Sequence, residues 1–273
     1  MDRDVTGCDV LIATKKGLFA GSREGVKPLL WGLFFGLTRH DGHVYLFETC
    51  DNPAGPSHMG RILRFRIAQG ELTDETIFAE GLSNGCHQLA VIDDLLCVVD
   101  TPAQTIVRLR LDGTPVDIKR PVPFEPACGG DGIPRHMNSI AEVGERIALV
   151  LHNGEANEAS EVVWVDRDWR VIERQRLAGY HCHDTLALPD GTIWHCGSRD
   201  GEVISSRGHR IKLTDRMTRG LVAAPHGFVV GTSLFGSRAV RDGLAGSILY
   251  LDPDFNRLAE TPCPGAPTDL LLL

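Results

Sequence analysis

No apolar stretch in this chain reaches the roughly 18 residues that a membrane-crossing helix needs. The longest, Leu29-Leu30-Trp31-Gly32-Leu33-Phe34-Phe35-Gly36-Leu37, is short and interrupted by glycine. There is no run of five basic residues, and the net charge is −8, so neither nucleic acid nor an anionic membrane is an expected partner. The eight cysteines include no CxxC pair, which leaves neither a zinc knuckle nor a dithiol redox motif to read. The start, Met1-Asp2-Arg3-Asp4, lacks the basic-then-apolar layout of an export signal. Reduced, mostly buried thiols in a cytoplasm are therefore the expectation. Helical periodicity is scarce.

Strands are what remains. Ile62-Leu63-Arg64-Phe65-Arg66-Ile67 and Thr105-Ile106-Val107-Arg108-Leu109-Arg110-Leu111 alternate with the two-residue period of a half-buried strand. Asp41-Gly42, Asp112-Gly113, Asp190-Gly191, Asp200-Gly201 and His226-Gly227 punctuate them as turns.

The strands also repeat. Phe35-Gly36-Leu37, His87-Gln88-Leu89, Asn138-Ser139-Ile140, Asp184-Thr185-Leu186, Gly220-Leu221-Val222 and Asp269-Leu270-Leu271 begin 52, 51, 46, 36 and 49 positions apart. Such a period, with four strands per unit, predicts an all-β, six-bladed β-propeller occupying residues 1–273 as a single domain. In the fifth unit the strands read about 183–188, 192–198, 202–206 and 209–214. The first residues supply three strands (about 9–14, 17–22 and 27–31) and the last, Thr268 to Leu273, supply a fourth, so the two ends complete one blade and close the ring.

Closure would bring Asp269, Phe35, His87, Asn138, Asp184 and Gly220 to one end of the axis. Four of these are metal-ligand types, His87, Asn138, Asp184 and Asp269. Like charges converging on a channel raise a carboxyl pKa unless a cation lies between them. One divalent ion answers that need, and oxygen ligands with one imidazole leave calcium, zinc, manganese or iron open. Hydrogen bonds that merely hold the blades together answer it equally well. Near the ring stand His136, His181, His183 and Arg219. A histidine could serve as a general base, and Arg219 could hold a substrate anion. Three loops should open on the same face: Cys50 to Gly60, His152 to Ser160 with Asn153 and Glu155, and Ser233 to Gly246 with Arg238 and Arg241. The link Pro121 to Arg135 should open there too. Its Gly129-Gly130-Asp131-Gly132 lacks the Lys-Ser/Thr ending of a phosphate loop.

The register of Asn138-Ser139-Ile140, and of Asp184-Thr185-Leu186-Ala187-Leu188-Pro189-Asp190-Gly191, resembles the senescence marker protein, gluconolactonase and regucalcin family, with its paraoxonase relatives. The resemblance implies a six-bladed propeller with an axial divalent metal. It carries the family's acidic ligand onto Asp269, its two asparagines onto His87 and Asn138, and its aspartate onto Asp184. His87 and Asp269 depart from the family's residue types. On this reading the chain is a metal-dependent enzyme acting on a small polar molecule, a lactonase-type hydrolase, with Asp184, His183, His136 and Arg219 as catalytic residues. The alternatives are a metal-dependent isomerase, cyclase or lyase, a non-haem iron oxygenase, and a non-catalytic binding platform.

Overall fold

The computed structural model describes residues 3–51, 57–127, 130–154, 157–236 and 243–273. Six four-stranded antiparallel sheets radiate as the blades of a six-bladed β-propeller. Blade one joins the two ends of the chain, with Pro267–Leu272 innermost, then Val10–Thr14, Leu18–Gly21 and Val26–Leu30. The inner strands of blades two to six are Phe34–His40, Cys86–Ile92, Met137–Val143, Cys182–Ala187 and Met217–Ala224. The fifth blade continues through Ile193–Gly197, Glu202–Ser205 and Arg210–Lys212, close to the bounds its turns predict. A two-stranded sheet, Glu125–Ala127 with Gly130–Ile133, occupies the link before blade four that the sequence reads as a loop. Among the described residues no helix is long and apolar enough to cross a membrane.

Each wedge between blades is filled from both sides. Phe35, Tyr45, Phe47 and Ile62 of blade two meet Cys86, Leu89, Leu96, Val98 and Leu109 of blade three in one cluster. Cys86, Cys97, Cys182, Cys196 and Cys263 are buried among such side chains and carry free thiols. Burial pushes the Cys97 and Cys182 thiols up to about 12 and the Cys263 thiol up to about 11, so these are packing groups without nucleophilic thiolate. The Asp41-Gly42 turn has φ of 45° and 72°, the left-handed pair that a tight hairpin needs. Asp93 and Asp94, at 50° and 57°, make the corresponding turn without glycine.

Every inner strand carries a register break near its start, where it approaches the axis. In four blades the ladder breaks after Phe34, Cys86, His183 and Thr218 and resumes at Leu37, Leu89, Leu186 and Leu221. A bulge leaves backbone N–H groups without a ladder partner. The neighbouring blade takes several of them, and this builds the site.

Candidate active site at the propeller axis

The breaks define which residues share the ring. Phe35, His87, Asp184 and Arg219 each stand two before the leucine at which pairing resumes. The blade-six member is therefore Arg219, one residue before the expected Gly220. Phe35, His87, Asn138, Asp184, Arg219 and Thr268 all line the axial cavity, and Asp269 lines it beside Thr268. The cavity measures about 10 Å³, room for about one water.

The ring is tied together from blade to blade. Asp269 accepts the Leu37 N–H at 2.8 Å and the Leu270 N–H at 2.9 Å. Asp184 accepts the Gly220 N–H at 2.8 Å. Gln88 accepts the Ile140 N–H at 2.8 Å, and Ser139 Oγ accepts the Asp184 N–H at 2.8 Å. Asn138 donates its amide to the Cys182 carbonyl at 2.9 Å and accepts the Ser139 hydroxyl at 2.7 Å. Five of these contacts run from one blade's inner strand to the next, and four of the five use backbone N–H groups at or beside the bulges. Burial, and for Asp269 the nearby Asp184 charge, push both carboxyls up; the Arg219 guanidinium works the other way on each.

From blade three to blade five the ring is also lined with imidazole. Ring centroids run from His87 to His136 at 5.3 Å, His136 to His152 at 4.7 Å, and His152 to His181 at 4.2 Å and His183 at 5.1 Å. His183 is buried and the other four are half-buried. His87 Nδ1 lies 2.9 Å from the Gly85 carbonyl, and His183 Nδ1 lies 2.8 Å from the His181 carbonyl. Each ring therefore keeps its proton on Nδ1 and leaves the Nε2 lone pair open. His152 is the reverse: its Nδ1 accepts the Gly154 N–H at 3.1 Å, so the neutral ring carries Nε2–H. Burial first, then neighbouring cationic charge including Arg219, holds His87, His152 and His183 well below the usual histidine range, so all three are neutral at pH 7. His136 and His181 sit at φ of 55° and 53°, and Asp184 at 59°, a left-handed backbone that costs about 1 kcal/mol or more for a residue with a Cβ.

The four residues expected to hold a divalent ion line one cavity but do not fit an ion as a set. Asp184 and Asp269 accept backbone N–H groups, Asn138 turns its amide to a carbonyl, and Arg219 brings a cation into the same cavity. Among the described residues no three His, Cys, Asp or Glu side chains form a metal-holding group. Of the residues expected to be catalytic, His183 and Arg219 line the cavity and His136 joins the imidazole row. Asp184 ties blades five and six together. His152 was read in the sequence only as the start of a loop, yet it is the hub of the row. Its one signal was position, directly after a second strand on the ring face. Cys128, Gly129, Glu155, Arg238 and Arg241 lie outside the described residues.

No protein-family model and no curated protein matches the chain. Solved structures do. A chain of the nidogen/laminin complex is 12% identical over 97% of this chain and 98% of that one, with a TM-score of 0.68. A candidate 6-phosphogluconolactonase from Bacteroides uniformis is 13% identical over 94% and 82%, with a TM-score of 0.55. The virginiamycin B lyase of Staphylococcus aureus is 13% identical over 83% and 69%, with a TM-score of 0.50. At these identities the likeness shows the propeller fold.

Proposed function

We propose that the chain is an enzyme that opens a small polar lactone bearing an anionic group, by acid–base catalysis at the histidine-lined mouth of the propeller. The observation that carries this reading is the opposite tautomers of two adjacent neutral imidazoles. His183 offers a lone pair at Nε2 and His152 offers Nε2–H, with ring centroids 5.1 Å apart. His183 takes a proton from a water seated in the axial cavity as the oxygen attacks the lactone carbonyl. His152 Nε2–H donates a hydrogen bond to the carbonyl oxygen as charge develops there. The ring C–O bond then breaks, and the imidazolium formed at His183 passes its proton to the departing alkoxide, so water and lactone become one hydroxy acid and both histidines return to their neutral forms. Arg219 anchors the anionic group. His87, held at Nδ1 as His183 is, lines the same cavity and offers a second Nε2 acceptor. Two fold neighbours named for enzymes, a candidate lactonase and a lyase, are in keeping with this reading.

Proton release from a panel of anionic and neutral lactones tests it. His183→Asn keeps a donor for the His181 carbonyl and removes Nε2, so kcat should fall about 10²–10⁴-fold. Arg219→Met should raise KM for anionic lactones and leave neutral ones little changed. Turnover that yields an unsaturated product in place of a hydroxy acid would move the reaction to elimination. No turnover of any lactone would leave the binding-platform reading. Elemental mass spectrometry belongs beside it: one divalent ion per chain, lost in a His87→Asn, His183→Asn double variant and kept in Asp184→Asn, would place a metal on the imidazoles and overturn the metal-free step.

A further inference from the structure

A second cavity, larger than the axial one, lies at the opposite end of the propeller. Met217–Ala224 runs from Arg219 at the mouth to Ala224, five residues on, which is roughly 17 Å of strand. There a cavity of about 620 Å³ opens in the seam between blade six and blade one. Its apolar wall includes Phe228, Val229 and Leu251 of blade six and Leu272 of blade one. This volume falls in the range of small-molecule sites.

Inside that wall is an unmet polar group. Tyr250 lines the cavity and is 4% exposed, and its hydroxyl is buried with no hydrogen-bond partner among the described residues. A buried O–H without an acceptor costs about 1–3 kcal/mol, a cost native proteins rarely carry without reason. Burial, with Asp9 and Cys8 nearby, pushes the phenol up, so the group stays O–H and seeks an acceptor. The rim is mixed. Arg23 lies over the Tyr250 ring at 5.9 Å, and Asp9 and Glu24 stand beside it, exposed. One cation and two anions give no field that selects an anionic ligand.

We propose that this seam cavity binds an uncharged, apolar-bodied small molecule carrying one carbonyl or hydroxyl oxygen, which accepts the Tyr250 O–H while the body packs against Phe228, Leu251 and Leu272. The site is separate from the histidine mouth, and lactone turnover has no bearing on it.

The naphthalene ketone prodan is a suitable probe, because it is neutral, has one carbonyl acceptor and fluoresces differently in apolar surroundings. Wild-type protein should bind one prodan per chain saturably. Tyr250→Phe should weaken binding about five- to tenfold and should raise the melting temperature of the free protein, since it removes an unpaired hydroxyl. Ala224→Trp, which fills the cavity, should abolish binding. The anionic probe anilinonaphthalene sulfonate should bind more weakly than prodan. Absence of saturable binding, or binding that survives Ala224→Trp in a protein that still melts cooperatively, overturns the site. Loss in Ala224→Trp with unchanged affinity in Tyr250→Phe overturns the acceptor, and tighter binding of the sulfonate overturns the uncharged class.

Discussion

The axial ring uses two kinds of polar side chain, carboxylate and imidazole, to opposite ends. On the carboxylate side, from blade five through blade one to blade two, the Asp184 and Asp269 carboxylates are engaged by backbone N–H groups of the next blade's inner strand, and Asp269 also by the Leu270 N–H of its own strand. On the imidazole side, His87 and His183 are held at one ring nitrogen and open at the other. A polar group engaged by its surroundings holds the blades together. One held by a single atom is oriented and still has a lone pair to use. The bulges make both possible, since they free the N–H groups that the carboxylates take and tilt the residues that reach the axis.

The largest expected effect is the response of the ring to acid. His195 is fully buried in blade five and holds the Asp184 carbonyl through Nδ1 at 2.9 Å. Burial pulls it down to about 4 from the usual 6.5 or so. Between those values the unfolded chain binds a proton that the folded one refuses, so stability is intact above about pH 6.5 and falls as the pH drops toward 4. The loss from this one group comes to about 3 kcal/mol. His195→Asn keeps a donor for the carbonyl and does not titrate. Urea unfolding from pH 7 to pH 4 should show a shallower acid limb in the variant. Equal slopes would mean that His195 is not what makes the ring acid-sensitive.

Next comes the contact between blades two and three. A Cβ on Gly36 would stand 2.6 Å from the His87 carbonyl oxygen and 2.8 Å from the Gln88 Cα. Backbone cannot step aside as a flexible side chain can, so Gly36→Ala should cost about 3 kcal/mol in urea unfolding. Asp269→Asn is milder. An amide presents one acceptor where the carboxylate presents two, so one of the Leu37 and Leu270 N–H groups loses its partner, at about 2 kcal/mol. If Asp269→Asn proves neutral, the relief of charge beside Asp184 outweighs the lost bond, and the carboxylate side is less a clasp than its geometry implies.

Much of this was legible in the sequence and the limits were physical. The blade pattern could be read because alternation and turn residues mark strands locally, and the shared blade because Thr268 to Leu273 needs a strand partner to bury its leucines. The convergence of Phe35, His87, Asn138 and Asp184 followed from the period alone. The bulges could not be read. They displace a strand by one residue without any fixed residue type, which is why Arg219 and not Gly220 holds the sixth position. They also decide whether a side chain meets a backbone N–H, so the N–H groups that Asp184 and Asp269 hold could not be read. His152 was hidden because its row is assembled from three blades, and no local spacing records a stack of rings 4.2–5.1 Å apart.

The smallest effect tests the comparison most directly. His136, His181 and Asp184 share left-handed φ values of 55°, 53° and 59°. Glycine adopts that backbone without penalty, so replacing a strained residue there can stabilise a fold, though glycine also loosens the unfolded chain and offsets part of the gain. If the imidazole side stores strain for function, His136→Gly and His181→Gly should raise stability by roughly 0.5 kcal/mol while lowering turnover. Asp184→Gly relieves the same strain but strips the Gly220 N–H of its acceptor, so it should lower stability by about 1–2 kcal/mol. Opposite signs at matched backbone angles, read from urea midpoints, would separate a residue kept for chemistry from one kept for the ring. Three losses of similar size would mean that the histidines hold the blades as the carboxylates do.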